Sequence, residues 1–429
     1  MRIVVFGCGY VGLVSATCFA GMGHNVLAVD TDIARLGLLT AGKPPFHEPN
    51  LPARMADEIS AGRLAFSQTP HVCDIAVLAV GTPATDDGAA DLSQLCAVID
   101  AVAKLAVLPR ALMIKSTVPV GTGDLMQARL RALRPDWNGV MISNPEFMRQ
   151  GFAVADFTQP DRVVIGADDA RGHTLGREVY ANMDLPAERL ICCKLASAEL
   201  MKYAANTILA TRLALVNELA LLAEATGADI LEIAAGIGMD RRIGPQFLRA
   251  GPGIGGSCFP KDIRALAHQA QLVDLPMAVV DAAIRSNESH ISQLVGRIVG
   301  LCGGTVAGLR IAVLGVTFKS GTDDMRNSPA LALIPALQNL GADVVVTDPM
   351  ASDAAHRLLP DVTWVDDAYA AATRSDGLVV LTEWPEFAGL NLEKLAGLTR
   401  SPRMADLRNL YDPEAARAAG FAYQGLGRS

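Results

Sequence analysis

A cysteine stands between a glycine-rich segment and a proline in the stretch GPGIGGSCFPKD, residues 251–262. Glycines let a backbone turn tightly, and proline is favoured in the first turn of a helix. The stretch therefore predicts a helix that begins just after Cys258. The positive end of a helix dipole favours a thiolate, so Cys258 is a candidate nucleophile. The alternative is a buried structural cysteine, which is the commoner role of cysteines outside disulfides.

Two further polar residues lie in an otherwise apolar segment, residues 197–226, whose pattern predicts one long helix. Lys202 and Asn206 are four residues apart, so they share a face of that helix. Together they can stabilise a developing negative charge. The alternative is a lysine that extends its ammonium group to solvent beside a loop.

The start of the chain has glycines at the spacing that binds a dinucleotide. A buried strand, RIVVFG, is followed by GCGYVG, a helical segment and a second strand, HNVLAVD. In this pattern Gly7 makes the turn, Gly9 lets a pyrophosphate approach, and Gly12 packs helix on strand. Asp30 can bind a ribose hydroxyl and favours NAD over NADP, a preference that Arg35 weakens. The alternative is the glycine turn of an ordinary strand–helix–strand unit.

Polar residues also follow further predicted strands of this domain. These strands are residues 75–83, 111–119, 139–147 and 162–166. Ligands of open α/β sheets bind at the carboxyl ends of the strands. We therefore expect Thr82, Thr117 and Glu146 to line one crevice, although each alone is also a typical turn or cap residue.

The opening of the chain recurs after residue 303. RIAVLG (310–315) repeats RIVVFG, and GADVVVTDP (341–349) repeats GHNVLAVDT, so that Asp348 corresponds to Asp30. The phosphate fingerprint does not recur, which predicts a second Rossmann-like domain without a dinucleotide site. Basic residues suited to phosphate follow instead, unless they are simply solvated: Lys319, Arg326 and Arg408.

Composition excludes several classes of function. Lysine plus arginine is 37 and aspartate plus glutamate is 45, a net charge of −8, which argues against nucleic-acid binding. The eight cysteines and seven histidines have no metal-ligand or disulfide-framework spacing. A reduced, cytoplasmic protein without a metal is expected. Glycines interrupt the apolar N-terminus and polar residues interrupt 207–225, so neither predicts a signal peptide or a membrane span.

Nearly the whole chain resembles the UDP-glucose/GDP-mannose dehydrogenase family. The segments that carry the resemblance are GCGYVGL, GKPPFHEPNL, AVGTPATDDGAADLS, KSTVPVGT, SNPEFMRQG, FTQPDRVVIG, GPGIGGSCFPKD, FKSGTDDMRNSPA and DLRNLYD. Within the family, RRIGPQFLRAGPG is more similar to the UDP-glucose branch. The resemblance implies an α/β protein with two Rossmann-like doubly wound domains joined by a long helix. Its expected parts are an NAD-binding domain (1–195), a helical connector and dimer core (196–300) and a UDP-sugar-binding domain (301–429).

The family oxidises the C6 alcohol of a nucleotide sugar to a carboxylate, using two NAD and one water. The resemblance implies UDP-glucose as substrate and a homodimer in which Arg242 reaches the substrate of the partner subunit. It also implies that Cys258 attacks the C6 aldehyde, and that the thiohemiacetal is oxidised to a thioester, which water cleaves. A covalent intermediate divides a difficult step into easier ones.

Each candidate residue receives a role from the same resemblance. Lys202 and Asn206 stabilise the oxyanion, and Asp262 orients water or acts with Lys202 in proton transfer. Thr117 holds the water and Glu146 is the base for hydrolysis. The expected cofactor contacts are Gly7, Gly9, Tyr10, Val11, Gly12, Asp30, Arg35, Thr82, Thr117, Lys261 and Arg326. The expected substrate contacts are Phe147, Met148, Arg149, Gln150, Lys202, Asn206, Arg242, Phe247, Leu248, Gly255, Lys319 and Arg408.

The chain departs from the family pattern at two positions, and other functions remain open. Gln150 stands where glutamate is usual, and Ile254 stands where an aromatic residue is usual. The same chemistry on GDP-mannose or a UDP-N-acetylhexosamine is one alternative. A two-electron hydroxyacid-type dehydrogenase is another, but it needs neither Cys258 nor a second Rossmann-like domain. An NAD-binding regulator with Cys258 as a sensing thiol would leave the other polar residues without a purpose.

Overall fold

The protein forms two compact units in the computed structural model, which describes residues 1–85, 87–351 and 353–428. One unit is Met1–Ala205, and the other begins at Asn206. Each contains an extended β-sheet with helices on its faces. Within the described ranges, no helix is both long and apolar enough to cross a membrane.

The first unit is built on an eight-stranded sheet. Its strands are β1 (Arg2–Phe6), β2 (Asn25–Val29), β3 (Leu64–Ser67), β4 (Ile75–Leu78), β5 (Ala111–Ile114), β6 (Val140–Ser143), β7 (Val163–Gly166) and β8 (Leu190–Cys193). Its helices are α1 (Tyr10–Gly21), α2 (Ile33–Thr40), α3 (Leu51–Ser60), α4 (Ser93–Ala103), α5 (Thr122–Leu133), α6 (Ala153–Thr158) and α7 (Ala170–Val179). A single 3₁₀ turn, Ala187–Arg189, precedes β8.

The strand order of this sheet is β3-β2-β1-β4-β5-β6-β7-β8, and its first six strands are parallel in the Rossmann order. β7 pairs antiparallel with β6, and β8 runs parallel to β7. The central strands are apolar and buried along their whole length, as expected for a sheet covered on both faces. Ile3 and Val5 contribute to one core cluster, and Val4 and Phe6 contribute to the cluster on the opposite face.

A helix of 32 residues, α8 (Leu195–Thr226), contains the division between the units. Three helices follow it in the second unit: α9 (Ile230–Gly238), α10 (Phe259–Gln271) and α11 (Ala278–Leu301). The single long helix predicted over 197–226 is therefore confirmed.

The second unit also holds a six-stranded sheet. Its strands are β9 (Arg310–Leu314), β10 (Asp343–Thr347), β11 (Thr363–Trp364), β12 (Gly377–Val380), β13 (Arg403–Asp406) and β14 (Ala422–Gly425). Its helices are α12 (Ala330–Asn339), α13 (Asp353–Leu358), α14 (Ala368–Ala372), α15 (Pro385–Ala388), α16 (Leu392–Leu398) and α17 (Pro413–Ala418). The order β11-β10-β9-β12-β13-β14 is the Rossmann order again, and all its pairs are parallel.

The recurrence seen in the sequence is confirmed in this sheet. The carboxylate of Asp348 accepts the backbone N–H of Val316 at 2.7 Å, as Asp30 accepts that of Cys8 at 2.7 Å. The tight turn into a helix is missing, because β9 ends at Leu314 and α12 begins only at Ala330. The second sheet thus has the Rossmann topology without the helix N-terminus that would hold a pyrophosphate.

Candidate active site

The glycine loop after β1 has the shape that a bound dinucleotide requires. Gly7 has a φ of +94°, which glycine adopts without strain, and a Cβ on Gly12 would lie 1.8 Å from the Gly7 carbonyl oxygen. A Cβ on Gly9 would meet nothing within 4 Å. Gly9 is also the N-cap of α1, with no side chain bonded to the first-turn N–H groups. The loop therefore offers open space and unsatisfied donors to a phosphate. Tyr10 and Val11 begin the helix.

Asp30 lies at the end of β2, where its buried carboxylate is held in place by its own chain. One oxygen accepts the Cys8 N–H at 2.7 Å and the Arg35 guanidinium at 2.9 Å, and the other accepts the Asp32 N–H at 2.9 Å. Burial alone would raise the pKa of Asp30, but these donors hold it below its usual value. A carboxylate has about four acceptor sites, so capacity remains for a ribose hydroxyl. Arg35, predicted nearby, is an ion-pair partner of Asp30.

Polar residues follow three neighbouring strands of the sheet, and two of them are in contact. The Thr82 hydroxyl donates to the Thr117 carbonyl oxygen at 2.8 Å, which joins the segments that follow β4 and β5. Glu146 follows β6, the next strand in the sheet. One of its oxygens lies 3.2 Å from the Lys202 ammonium group, and both side chains are only 5–6% exposed. The other oxygen accepts the Met148 N–H at 2.5 Å. Glu146 and Lys202 thus form a buried ion pair.

The segment after Glu146 was predicted to contact the substrate. The Phe147 ring lies under the Arg162 guanidinium at 3.7 Å and within 5.3 Å of the Lys202 ammonium group. Arg149 is exposed and forms an ion pair with Asp156 at 2.6 Å. Gln150 is partly buried. Two cations therefore lie close to the Phe147 ring.

Glu199 was missed by the sequence analysis, although it lies three residues before Lys202 on α8. It is buried, and its two oxygens accept the N–H groups of Gly121 and Gly123, each at 2.7 Å. Those groups belong to the start of α5, which follows Thr117 along the chain. Burial raises the pKa of Glu199 to about 7. The i, i+3 spacing to Lys202 was the signal that could have identified it.

In the second unit, Asp262 forms hydrogen bonds with polar side chains near the cysteine segment. Its fully buried carboxylate accepts the Asn206 amide at 2.5 Å and the Lys261 ammonium group at 2.6 Å. The Asp262 N–H donates to the Cys258 carbonyl oxygen at 2.8 Å, which is the first hydrogen bond of α10. Lys261, expected at the cofactor, is the ion-pair partner of Asp262.

Cys258 is the N-cap of α10, which has a proline in its first turn, as the sequence predicted. The side chain is exposed, so the alternative of a buried structural cysteine is wrong. The Ser257 hydroxyl lies 3.6 Å from its sulfur. Gly256 has a φ of +85°, and a Cβ there would lie 2.9 Å from the Phe318 ring. Glycine is therefore required just before an exposed thiol at a positive helix end.

The remaining predicted substrate residues surround this segment only in part. A Cβ on Gly255 would lie 2.9 Å from the Asn327 carbonyl oxygen, so that glycine is also required. Arg408 donates to the carbonyl oxygens of Leu381 at 2.9 Å and Phe318 at 2.8 Å, and burial lowers its pKa. Leu248 is buried and the Phe247 ring lies 5.9 Å from that of Phe259.

Three predicted cations of the second unit are less enclosed. Lys319 lies 5.7 Å from the centre of the Phe318 ring. Arg326 forms an ion pair with Asp324 at 2.8 Å, and Arg242 forms one with Asp240 at 2.6 Å. The Arg242 side chain is 89% exposed. In a single chain, Arg242 is therefore exposed to solvent.

Ile254, one of the two departures from the family pattern, is a core residue. It is buried in an apolar cluster with Ala210, Ile263 and Val280, and its N–H donates to Asn287 at 2.7 Å. The Ile254 side chain thus packs in the core of the second unit.

The sheet and glycine loop of the first unit are those of a dinucleotide-binding Rossmann domain. Family models of the UDP-glucose/GDP-mannose dehydrogenase family match three consecutive segments: the NAD binding domain at residues 1–184, the central domain at 196–289 and the UDP binding domain at 312–413. This chain is a member of the UDP-glucose/GDP-mannose dehydrogenase family, and NAD is the cofactor that its first domain binds.

Individual relatives agree with this membership. The chain is 41% identical over 435 residues to a UDP-glucose 6-dehydrogenase of Rhizobium meliloti (strain 1021), with 100% of both chains covered. It is 39% identical over 433 residues to one of Bacillus subtilis (strain 168), covering 100% of this chain and 93% of the relative. A solved UDP-glucose dehydrogenase of Pyrobaculum islandicum has a TM-score of 0.91 at 35% identity, covering 100% of this chain and 98% of that one.

Proposed function

We propose that this protein oxidises the C6 hydroxyl of UDP-glucose to the carboxylate of UDP-glucuronate, with Cys258 as the nucleophile. The observation that carries the proposal is the place of Cys258, an exposed thiol at the N-terminus of α10 with buried Asp262 one turn later. The full-length similarity to UDP-glucose 6-dehydrogenases supports the choice of sugar nucleotide. We retain the division into an NAD-binding part (1–195), a helical connector (196–300) and a UDP-sugar-binding part (301–429).

The cofactor is held by the first sheet. The open loop at Gly9 and the donors at the start of α1 suit the pyrophosphate, and Asp30 suits a ribose hydroxyl. When bound there, NAD would supply the hydride acceptor for both oxidations at C6. Thr82, Lys261 and Arg326 are the further cofactor contacts in this proposal.

Cys258 makes the second oxidation possible. Its thiolate adds to the C6 aldehyde: a carbon–sulfur bond forms, and the carbonyl electron pair moves to oxygen, which gives a thiohemiacetal. Loss of a hydride from C6 and a proton from that oxygen leaves a thioester. Water, deprotonated by Glu146, then adds to the thioester. The carbon–sulfur bond breaks, its electron pair returns to sulfur as the thiolate, and the acid that is released loses its proton to give the carboxylate.

In these steps the buried polar residues stabilise negative charge and transfer protons. Lys202 and Asn206, one turn apart on α8, stabilise the oxyanion on C6. The ion pair between Lys202 and Glu146 supports proton exchange between these two groups. Glu146 acts as base in hydrolysis, and Thr117 holds the attacking water. Asp262 orients the Asn206 amide through their hydrogen bond.

The sugar nucleotide is recognised by residues from several segments. The candidates with an apolar or backbone role are Phe147, Met148, Arg149, Gln150, Phe247, Leu248 and Gly255. The candidates that meet the phosphates are Lys319 and Arg408. Arg408 is already fixed by two carbonyl oxygens, which prepares its guanidinium to bind without a further loss of side-chain freedom.

We also propose a homodimer that forms along α8. Ile208, Leu215 and Leu222 are spaced by seven residues and are 67%, 54% and 59% exposed in the single chain. Seven-residue spacing places them along one side of the helix, and large apolar side chains at that spacing typically pack against another helix. A second copy of the chain is the occupant that the family resemblance supports. Exposed Arg242 would then be available to the partner subunit.

We infer the cytoplasm as the compartment. In the described part of the chain no two cysteines form a disulfide, which is usual for proteins in reducing compartments.

The proposal is tested by counting NADH formed per UDP-glucose consumed. We expect two NADH per sugar nucleotide in the wild type and no complete oxidation in Cys258→Ala. Cys96→Ala, in α4, is the control and should behave as the wild type. One NADH per sugar with unchanged turnover in Cys258→Ala would indicate an ordinary two-electron dehydrogenase.

The substrate is tested with GDP-mannose and a UDP-N-acetylhexosamine in parallel. A UDP-D-ManNAc dehydrogenase of Pyrococcus horikoshii has a TM-score of 0.89 and 27% identity, covering 100% of this chain and 99% of that one. Two NADH on such a sugar, with none on UDP-glucose, would retain the chemistry and change the assigned substrate. NAD binding without turnover of any of these sugars would indicate a regulator.

A further inference from the structure

Glu48 is a buried carboxylate to which neither the sequence nor the proposed chemistry gives a role. It lies between α2 and α3 and is 2% exposed. One oxygen accepts the Ala153 N–H at 2.8 Å. The other accepts the Gly151 N–H at 2.8 Å and also the Tyr10 hydroxyl. Both oxygens are thus occupied by donors from elsewhere in the first unit.

The donors come from two segments with different proposed ligands. Tyr10 is the first residue of α1 and follows Gly9 of the cofactor loop. Gly151 directly follows the segment Phe147–Gln150, which is proposed to contact the sugar nucleotide. The Tyr10 hydroxyl also accepts the Gly151 N–H at 3.2 Å. Glu48 and Tyr10 together therefore connect the cofactor loop to the start of the segment that leads into α6.

The Tyr10 hydroxyl remains a hydrogen-bond donor to Glu48, because the phenol stays protonated. Burial, and then the bond to Glu48, raises the pKa of Tyr10 far above its usual value. The ring is further fixed by Phe46, with 4.9 Å between ring centres. Hydrogen bonds to a buried carboxylate are stronger than those between neutral groups. A displacement of Tyr10 would thus be transmitted to Gly151 through the carboxylate.

We propose that Glu48 is a positioning residue that couples the cofactor loop to the sugar-nucleotide segment. The inference rests on the proposed function, because it takes Phe147–Gln150 as part of the sugar-nucleotide site. Glu48 fixes Gly151 and Ala153 through their N–H groups and so sets the place of the four residues before them. Through Tyr10 it gives the cofactor loop an influence on sugar-nucleotide affinity, although Tyr10 itself need not touch the sugar. By linkage, the same coupling acts on cofactor affinity.

A purely structural role of Glu48 makes a different prediction. The carboxylate would then only cap the start of α6, and its loss would lower stability. Removal of the Tyr10 hydroxyl would leave sugar-nucleotide affinity unchanged. Coupling instead requires that the effects of Tyr10 and Glu48 depend on each other.

The test is a double-mutant cycle on equilibrium binding with the full-length protein. UDP-glucose is titrated by calorimetry without NAD, so that no turnover occurs, and NADH is titrated separately by fluorescence. The variants are Tyr10→Phe, Glu48→Gln and the double variant. Glu58→Gln is the control, because Glu58 is a nearly buried carboxylate of α3 that binds Arg63 at 2.7 Å. Circular dichroism and thermal unfolding establish that each variant is folded.

We expect Glu48→Gln to weaken UDP-glucose binding about tenfold, and NADH binding also, since a bond to a charged group is lost. Tyr10→Phe should weaken UDP-glucose binding less, and the double variant no more than Glu48→Gln alone. The control should bind both ligands as the wild type does. Unchanged UDP-glucose affinity in Tyr10→Phe, or fully additive effects, would overturn the inference.

A variant that does not fold and a wild type that does not bind UDP-glucose have different meanings. If Glu48→Gln does not fold, the binding of UDP-glucose and NADH is measured on Tyr10→Phe and Glu48→Asp instead. If the wild type does not bind UDP-glucose, that result counts against the proposed substrate, and the cycle is run with the nucleotide sugar that it oxidises. Binding of NADH without binding of any nucleotide sugar would overturn both proposals.

Discussion

The side-chain amide of Asn206 donates a 2.5 Å hydrogen bond to Asp262, which lies one helical turn after Cys258. Lys261 occupies the other oxygen of that carboxylate at 2.6 Å. Asp262 is buried, so its two oxygens depend on these donors in place of water. An amide nitrogen has two N–H groups, and Asp262 determines the direction of both. The carboxylate thereby orients a group that we assign to the oxyanion.

We expect Asp262→Asn to lower kcat for UDP-glucose oxidation about 100-fold. The asparagine cannot accept from both donors as a carboxylate does, so the Asn206 amide loses its fixed direction. NADH should still bind, since the glycine loop is untouched, and any change in its affinity reports on Lys261, which loses its ion pair with Asp262. Steady-state kinetics and NADH titration measure the two effects.

Asp100→Asn is the matched control, because Asp100 also binds a cation, Arg129, at 2.8 Å but is exposed. Its kcat should equal that of the wild type. A kcat in Asp262→Asn within about twofold of the wild type would exclude the orienting role.

Two glycines of the cofactor loop should respond differently to alanine. In Gly9→Ala the added methyl meets nothing in the protein, so the fold should persist while NADH binding weakens, because the methyl occupies the space proposed for the pyrophosphate. In Gly12→Ala the methyl would lie 1.8 Å from a carbonyl oxygen, so stability itself should fall by several kcal/mol. Thermal unfolding and NADH titration separate the two effects.

Gly37→Ala, in α2 with nothing near its added methyl, should be neutral or stabilising by about 1 kcal/mol. Unchanged NADH affinity in Gly9→Ala would show that the pyrophosphate does not lie over that glycine.

Glu199 predicts a pH dependence of stability. Its pKa is raised from 4.5 to about 7 in the fold, chiefly by burial, and Asp124 and Asp168 contribute in the same direction. A raised folded pKa means that the protonated form is favoured by folding. This contribution, on the order of 3 kcal/mol, is complete below about pH 4.5 and is lost as the pH rises through about 7.

Glu199→Gln should therefore have a flatter dependence of unfolding free energy on pH between about 5 and 8 than the wild type. Urea unfolding over that range measures it, with Glu178→Gln, a half-exposed residue of α7, as the control. Parallel curves for wild type and Glu199→Gln would mean that Glu199 has an ordinary pKa.

The dimer is tested by placing a charge in the apolar row of α8. Ile208→Asp should convert a particle of about twice 45.1 kDa into one of 45.1 kDa in light scattering after gel filtration. Val107→Asp, at another exposed apolar residue, should not change the mass. A wild-type protein that is monomeric at micromolar concentration would contradict the proposal.

Elements with a short-range physical cause can be predicted from the order of the amino acids. Apolar runs of strand length become buried strands because a sheet covered on both faces needs them. The spacing of Gly7, Gly9 and Gly12 is read locally, since each glycine acts on its own turn and its next helix. Proline after Cys258 marks the start of α10 for the same reason. Both Rossmann sheets and the open glycine loop were therefore predictable.

Contacts between groups that are distant along the chain become known only from the folded protein. No local pattern indicates that β7 runs antiparallel to β6. Spacing put Lys202 and Asn206 on one helix but did not give their partners, Glu146 and Asp262. Glu48 has no signal in the sequence, because its three donors are 38 to 105 residues away. Burial selects these partners: a carboxylate withdrawn from water must find donors, and the folded chain alone determines which donors are within reach.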